Sequence, residues 1–78
     1  MNRQRLAQVA TRIGIRKNAY SFGSGHPPNC YVLTLERGGW RYYVSDQGER
    51  TEELFFDTED EACDHLLNAL IRDPYTRQ

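Results

Sequence analysis

A chain of 78 residues with a formal net charge of −1 can build one small hydrophobic core and is too short for two. Hydrophobic residues make up 38% and charged residues 27%, a balance that is typical of folded proteins and argues against intrinsic disorder. Only short apolar segments occur, with no run as long as a signal h-region or a membrane span, so we expect one cytoplasmic domain comprising residues 1–78.

The apolar spacing of residues 1–14 predicts an N-terminal helix. Its apolar positions recur at intervals of three and four and form one stripe, consisting of Leu6, Val9, Ala10 and Ile13. Gly14 follows this stripe and can adopt the left-handed conformation that ends a helix. Ile15 can then make the apolar contact that accompanies this cap.

Residues 16–56 are predicted to form an antiparallel meander of three or four strands. The first strand, within residues 16–22, has a weak pattern, and the glycines and prolines of residues 23–29 indicate a loop. Residues 30–36 alternate clearly between apolar and polar positions, as a half-buried strand does. Arg37-Gly38-Gly39 indicates a tight hairpin after it.

The return strand and a further strand complete this predicted sheet. Trp40, Tyr42 and Val44 share one face of the return strand, and the polar residues 46–49 indicate a second turn. Residues 51–56 then form the last predicted strand.

A C-terminal helix is predicted over residues 58–72. Thr58 and Glu61 have the spacing of a capping box, and an apolar stripe follows, consisting of Ala62, Cys63, Leu66, Leu67, Leu70 and Ile71. Asp73-Pro74 ends the helix, because proline disfavours helical geometry in the residue before it. Residues 74–78 are expected to form a frayed tail.

The predicted fold is a single α+β domain, α-β-β-β-α or α-β-β-β-β-α, with both helices on one face of the sheet. The other face is expected to be open, and it is the leading candidate for a binding surface. Strand alternation places seven side chains on this face: Val32, Thr34, Arg41, Tyr43, Thr51, Glu53 and Phe55.

No pattern in the chain indicates catalysis, a cofactor or a metal site. Its four thiol and imidazole side chains belong to His26, Cys30, Cys63 and His65. Residues two apart on a helix point about 200° apart, so Cys63 and His65 cannot bind the same ion from one helix. Both cysteines lie in apolar segments and are predicted to be free buried thiols.

Charge is unevenly distributed along the chain. Residues 1–17 contain five basic residues and no acid, whereas residues 46–64 contain nine acids and one base, Arg50. Acids at the start of the last helix favour its dipole. The acids around the second turn repel one another, which a basic partner surface would offset; they are Asp46, Glu49, Glu52 and Glu53.

Nucleic-acid binding is the main alternative that the pattern leaves open. The order α-β-β-β-α resembles the double-stranded-RNA-binding domain, and bases could stack on Tyr43 and Phe55. The start of the last helix opposes this interpretation, because residues 58–61 carry acids where that family carries lysines that contact phosphate. The basic first helix keeps the alternative open.

Two stretches of the chain have a distinctive sequence: the Trp-x-Tyr-Tyr strand at residues 40–43 and the Phe-x-Thr-Glu-x-Glu-Ala-Cys helix start at residues 56–63. Together with residues 20–33 they resemble small bacterial immunity proteins of polymorphic toxin systems, including contact-dependent growth inhibition. The resemblance covers about residues 15–74. Members often carry Ser-Glu-Arg-Gly after the aromatic strand, where this chain has Ser-Asp-Gln-Gly at residues 45–48.

The resemblance implies a protein that binds a cognate toxin domain, often a nuclease, and covers its active site. Carboxylates could then occupy the positions of substrate phosphates. The residues expected to bind the partner are Tyr43, Asp46, Glu49, Glu52, Glu53, Phe55, Glu59 and Asp60. A small adaptor that forms a homodimer through the open sheet face is a further alternative.

Overall fold

Two helices and a four-stranded sheet follow one another in the order α1-β1-β2-β3-β4-α2, which confirms the predicted α+β class. The structure is a computed structural model that describes residues 1–23, 25 and 27–78, so Ser24 and the possible metal ligand His26 lie outside the described residues. The elements are α1 (Arg3–Arg12), β1 (Tyr20–Ser21), β2 (Cys30–Glu36), β3 (Gly39–Asp46), β4 (Glu49–Phe56) and α2 (Glu59–Arg72), with two short 3₁₀ turns (Lys17–Ala19 and Pro74–Thr76).

Helix α1 begins and ends with side-chain and backbone caps. The Asn2 side chain accepts a hydrogen bond of 2.8 Å from the Arg5 backbone N–H. At the other end Gly14 has a φ of +88°, and the Ile15 N–H reaches back 2.9 Å to the Ala10 carbonyl. This geometry confirms the predicted glycine cap and shortens the helix relative to the predicted residues 1–14.

Helix α2 begins at the predicted cap, where the Thr58 hydroxyl oxygen accepts a hydrogen bond of 3.2 Å from the Glu61 N–H. Four members of its predicted stripe are buried against the sheet and α1: Ala62, Cys63, Leu66 and Leu70. Ile71, also predicted to be buried, is 43% exposed. At 14 residues α2 is the longer of the two α-helices, and in the described part of the chain no helix is long and apolar enough to cross a bilayer.

The sheet has the order β1-β2-β3-β4 and is mixed, whereas the sequence predicted an antiparallel meander. The β2–β3 and β3–β4 pairs are antiparallel as expected, but Tyr20 and Ser21 of β1 pair in parallel with Tyr31 and Val32. Parallel neighbours usually need a crossover of about a dozen residues. The shorter connection here, residues 22–29, suffices because β1 has only two residues.

A β-bulge in β4 changes which face its first residues occupy. The register shifts between Tyr42 and Val44, so that Val44 pairs with Thr51 and Ser45 pairs with Arg50. Thr51 therefore lies on the helix side of the sheet with Val44, and its predicted place on the opposite face is wrong. The prediction assumed that faces alternate strictly along β4, and the extra residue interrupts this alternation.

The face opposite the helices is partly covered, which corrects the expectation of an open face. A small cluster of Cys30, Val32 and Tyr43 is buried there, with Val32 fully inaccessible. Beside it the Cys30 thiol donates to the Pro27 carbonyl at 3.5 Å. The Ser45 hydroxyl donates to the Pro28 carbonyl at 2.9 Å, so the end of the β1–β2 connection lies against this face.

The C-terminal segment is docked, and the prediction of a frayed tail is wrong. The Thr76 hydroxyl donates to the Leu70 carbonyl at 2.7 Å and is buried. The Thr76 carbonyl accepts from the Arg16 N–H at 2.7 Å, and the Gln78 N–H donates to the Gly14 carbonyl at 2.8 Å. These backbone bonds hold the segment against the chain that follows α1.

Candidate functional site

Two acids of the sheet are neutralised by arginines that also belong to the sheet. The Arg41 guanidinium nitrogens lie 3.1 Å from a Glu36 carboxylate oxygen and 3.3 Å from a Glu53 carboxylate oxygen. An Arg50 guanidinium nitrogen lies 3.7 Å from Glu36 and 3.8 Å from Glu53, again measured to carboxylate oxygens. All four side chains lie on the face opposite the helices. Glu53, a predicted partner-binding residue, is therefore held in an internal ion-pair network, which we call the Arg41–Arg50 network.

The acids at the start of α2 are also paired within the chain. Glu59 accepts a hydrogen bond of 2.9 Å from the Arg3 backbone N–H and one of 3.1 Å from its Nε. The backbone bond, followed by the guanidinium, lowers the pKa of Glu59. Asp60 accepts a hydrogen bond from the Met1 amino group. The contacts of these two predicted site residues therefore join the N-terminal ends of α1 and α2.

Three predicted acids, Asp46, Glu49 and Glu52, form no ion pair with any described residue. We call them the turn acids. Asp46 and Glu49 pair across a two-residue turn, and Glu52 lies three residues further along β4. All three side chains are exposed. The structure therefore leaves three exposed acids without a cation from the described part of the chain, around the Asp46–Glu49 turn and the first half of β4.

The turn between Asp46 and Glu49 is fixed by the preceding loop. Gln47 and Gly48 have φ values of 53° and 86°, as a type I′ hairpin turn requires. The Gln47 N–H donates to the Asn29 side chain at 2.8 Å, and the Gly48 N–H donates to the Pro28 carbonyl at 3.0 Å. Two of the turn acids are thereby presented by a rigid hairpin, which reduces the entropy lost when a partner binds.

The two predicted apolar anchors have different environments. Tyr43 is only 3% exposed, because it belongs to the covered cluster and the Arg50 guanidinium lies over its ring. Phe55 is 50% exposed and packs over Gly39, where an added Cβ atom would come within 2.5 Å of the ring. Phe55 is therefore available to a partner, whereas Tyr43 contributes to the core.

A cleft on the helix side of the sheet was not predicted from the sequence. It consists of two cavities of about 340 and 420 Å³ that share three lining residues, Tyr31, Glu52 and Asp73. We call it the Tyr31 cleft. Alternation along β2 predicted that Tyr31 lies on the helix side of the sheet. The position of Asp73 beside Tyr31 could not be predicted, because it depends on where α2 crosses the sheet.

Carboxylates dominate the electrostatics of the Tyr31 cleft. The Tyr31 hydroxyl donates to Asp73 Oδ2 at 2.9 Å. Burial, the hydrogen bond to Asp73 and the negative charges of Asp73 and Glu52 raise the pKa of Tyr31. Burial and Glu52 raise the pKa of Tyr42 to about 12. Both phenols therefore stay protonated at neutral pH and can donate hydrogen bonds without adding charge.

Some arginines of the basic N-terminal segment form contacts within the folded chain. Arg3 binds Glu59 and also lies 4.8 Å from the centre of the Trp40 ring. Arg16 donates to the Tyr75 carbonyl at 3.1 Å. The Arg5 guanidinium donates to the Gln8 side chain at 3.4 Å, and Arg12 is exposed. The surface available for phosphate contacts on α1 is smaller than the sequence indicated.

Both thiols are buried. Cys63 lies in the core, where burial, followed by the charge of Glu59, raises its pKa to about 11. The rings of His65 and Tyr42 meet edge to face, with centres 4.5 Å apart and planes inclined at 81°. Among the described residues no three histidine, cysteine or carboxylate side chains come close enough together to hold a metal ion. Free buried cysteines were predicted, and the structure confirms them.

Comparison with known proteins adds no assignment. No protein-family model, no curated protein and no solved structure matches this chain.

Proposed function

We propose that this protein is an immunity protein: it binds the basic surface of a cognate toxin domain in the cytoplasm, covers its active site and performs no chemistry of its own. The resemblance of residues 20–33, 40–43 and 56–63 to immunity proteins of polymorphic toxin systems supplies the kind of partner. The charges of the fold supply the binding surface.

The observation that carries this proposal is the group of turn acids that the described fold leaves without a cation. The chain neutralises Glu36 and Glu53 with the Arg41–Arg50 network and Glu59 with Arg3. It leaves all three turn acids without a cation among the described residues, although they lie close together at one end of the sheet. Clustered like charges destabilise a free protein and gain energy when a positive surface approaches.

A nuclease toxin is the partner that fits this surface best. The cleft of a nuclease is basic because it binds phosphates, and carboxylates on a rigid hairpin can take the positions of those phosphates. Long-range attraction between the two surfaces would speed capture and make it sensitive to salt. The exposed ring of Phe55 offers an apolar contact on the same strand.

The test is protection by matched single variants. Glu49→Lys reverses a turn acid, and Asp57→Lys reverses an exposed acid just beyond the other end of β4 that likewise has no ion-pair partner in the described chain. Co-expression with the candidate toxin, followed by a binding measurement at two salt concentrations, should show weaker protection and weaker binding for Glu49→Lys only. Equal protection by both variants would remove the acidic contact from the proposal.

The two alternatives are tested by two further measurements. A nucleic-acid-binding module would shift RNA or DNA in a gel, and the shift would be lost on substitution of Arg5 and Arg12. A dimerising adaptor would sediment as a dimer at high concentration without any toxin. Either result, together with a lack of toxin binding, would contradict the proposed function.

A further inference from the structure

We propose that the Tyr31 cleft receives an arginine side chain of the protein partner; this inference rests on the proposed function. The cleft would then supply a specific anchor beside the more general attraction of the turn acids. Four observations support an arginine in particular: the path of β4, the charges around the cleft, its aromatic walls and its size.

The bulge in β4 removes a basic side chain from this side of the sheet. In an unbroken strand Arg50 would lie on the same face as Glu52, because residues two apart share a face. With the extra residue, Arg50 instead pairs with Ser45, and its guanidinium lies 4.3 Å from the centre of the Tyr43 ring on the opposite face. Thr51 and Glu52 both line the cleft, which has no cation from β4.

Acids outnumber bases around the cleft. Its lining carries three carboxylates against two guanidinium groups: Asp46, Glu52 and Asp73 against Arg16 and Arg72. Arg16 is already bound to the Tyr75 carbonyl and to Asn18, and neither arginine forms an ion pair with a described carboxylate. The carboxylate of Glu52 is therefore available to an incoming cation. Asp73 accepts from the Tyr31 hydroxyl through Oδ2 and from the Tyr75 N–H through Oδ1, and a carboxylate has acceptor capacity beyond two bonds.

The walls of the cleft are aromatic as well as acidic. Tyr31 lines both cavities, the largely exposed Tyr75 lines one, and Tyr42, which is only 4% exposed, lines the other. A guanidinium group can stack on an accessible ring such as that of Tyr75 and bind a carboxylate with two parallel hydrogen bonds, which an ammonium group cannot do. This combination favours arginine over lysine.

The charge of the cavities disfavours anionic ligands, and their size leaves room for a long side chain. Volumes of about 340 and 420 Å³ lie at the lower end of the range for ligand pockets, so an arginine side chain can enter either cavity. A phosphate group would meet the negative charges of Glu52 and Asp73, which repel it. A nucleotide is therefore a poor fit.

The experiment uses the whole protein and capped tripeptides as probes. Isotope-labelled protein is titrated with acetyl-Gly-Arg-Gly-amide, and the NMR signals of the Tyr31 and Tyr42 rings and of the Glu52 and Asp73 amides are followed. The matched probes carry lysine or glutamine in place of arginine. We expect saturable shifts confined to the cleft with the arginine peptide, a dissociation constant in the millimolar range, and weaker or no binding of the other two.

Two variants test the site itself. Glu52→Gln keeps the size of the side chain and should weaken binding of the arginine peptide by roughly tenfold. Asp57→Asn removes an exposed acid far from the cleft and should leave the affinity unchanged. Equal binding of the glutamine peptide, equal loss in both variants, tighter binding of the lysine peptide, or shifts outside the cleft would each overturn the proposal.

Failure here is distinguishable from failure of the proposed function. If the arginine peptide does not bind but Glu49→Lys still weakens toxin capture, the protein is an acidic binder without this anchor. If the peptide binds and Glu52→Gln abolishes that binding, the cleft is an arginine site even if no toxin is neutralised.

Discussion

The guanidinium carbon of Arg50 lies 4.3 Å from the centre of the Tyr43 ring, on the face of the sheet opposite the helices. This contact links three features of the fold: the bulge that places Arg50 there, the ion pairs with Glu36 and Glu53, and the covered cluster to which Tyr43 belongs. The charged side chains on this face of β4 are therefore paired within the chain.

Removing the Arg50 guanidinium should destabilise the protein modestly. Arg50→Ala loses a cation–π contact and two long ion pairs at a half-exposed position, together worth about 1 kcal/mol. Urea unfolding measures the change. Arg37→Ala is the matched control, because Arg37 is exposed and makes no ion pair or side-chain hydrogen bond with the described residues. Equal stability of the two variants would contradict a structural role for Arg50.

An added methyl group at Gly39 should destabilise the β2–β3 hairpin. A Cβ atom there would lie 2.5 Å from the Phe55 ring and 2.9 Å from the Phe56 carbonyl oxygen. Gly39→Ala is expected to cost about 1–3 kcal/mol, measured by thermal or urea unfolding.

The double variant Gly39→Ala with Phe55→Ala separates the two clashes. Removal of the ring relieves one of them and leaves the backbone oxygen, so the combined cost should be smaller than the sum of the single costs. Strict additivity would show that the ring and the new methyl group do not meet.

The pairing of Glu59 with Arg3 predicts a loss of stability in acid. The pKa of Glu59 is lowered in the folded state, chiefly by the Arg3 backbone N–H. The stabilisation is therefore complete above the unfolded pKa of roughly 4.3 and disappears as the pH falls through the lower folded value. Urea unfolding between pH 7 and pH 3 should show a shallower decline for Glu59→Gln than for the parent protein.

A substitution of Arg3 provides the control for this assignment. Arg3→Gln keeps the backbone N–H, which is the larger cause of the shift, and removes only the guanidinium. Its pH profile should therefore lie between those of the parent and Glu59→Gln. A profile of Glu59→Gln that matches the parent would show that another group causes the decline.

The core position of Cys63 predicts slow alkylation. Burial, followed by the charge of Glu59, raises its pKa to about 11, so little thiolate exists near pH 8. Iodoacetamide should label Cys63 more than tenfold faster in urea than in the folded protein, as followed by peptide mass spectrometry. Equal rates in both conditions would mean that the thiol is accessible in the native state.

The regular elements could be predicted because their signals are local. Helix α2 begins after the capping residue Thr58, and β2 has the predicted bounds, since capping and alternation depend on neighbours in sequence. Gly14 ends α1 by the same kind of local rule. The α+β class and the order of elements followed from these signals.

The rest of the fold depends on contacts between distant segments. The parallel pairing of β1 is set by residues that lie eleven positions apart, and the docking of residues 74–78 is set by the chain around Gly14. The bulge at Glu52, which has a φ of 53°, interrupts an alternation that looked regular, so Thr51 was assigned to the wrong face. No local signal marks such a position when glycine is absent.

The candidate site was predictable only in part, for the same reason. Asp46, Glu49 and Glu52 remain an exposed acidic group. Glu59 and Asp60 acquire cations from the distant N-terminus, and Glu53 acquires them from β3 and from its own strand. The sequence shows that acids are abundant but not which of them find a partner in the fold. The Tyr31 cleft arises where α2 ends over the sheet and has no contiguous motif.

The docking of the C-terminal segment has a consequence for the order of folding during synthesis. Residues 74–78 close on the chain that immediately follows α1, through the Gln78 to Gly14 and Arg16 to Thr76 bonds. Gly14 and Arg16 are synthesised well before Thr76 and Gln78. The nascent chain can form its hairpins early, but the seam between its first and last segments can close only after residue 78 has left the exit tunnel, so the final step of folding follows translation of the whole segment.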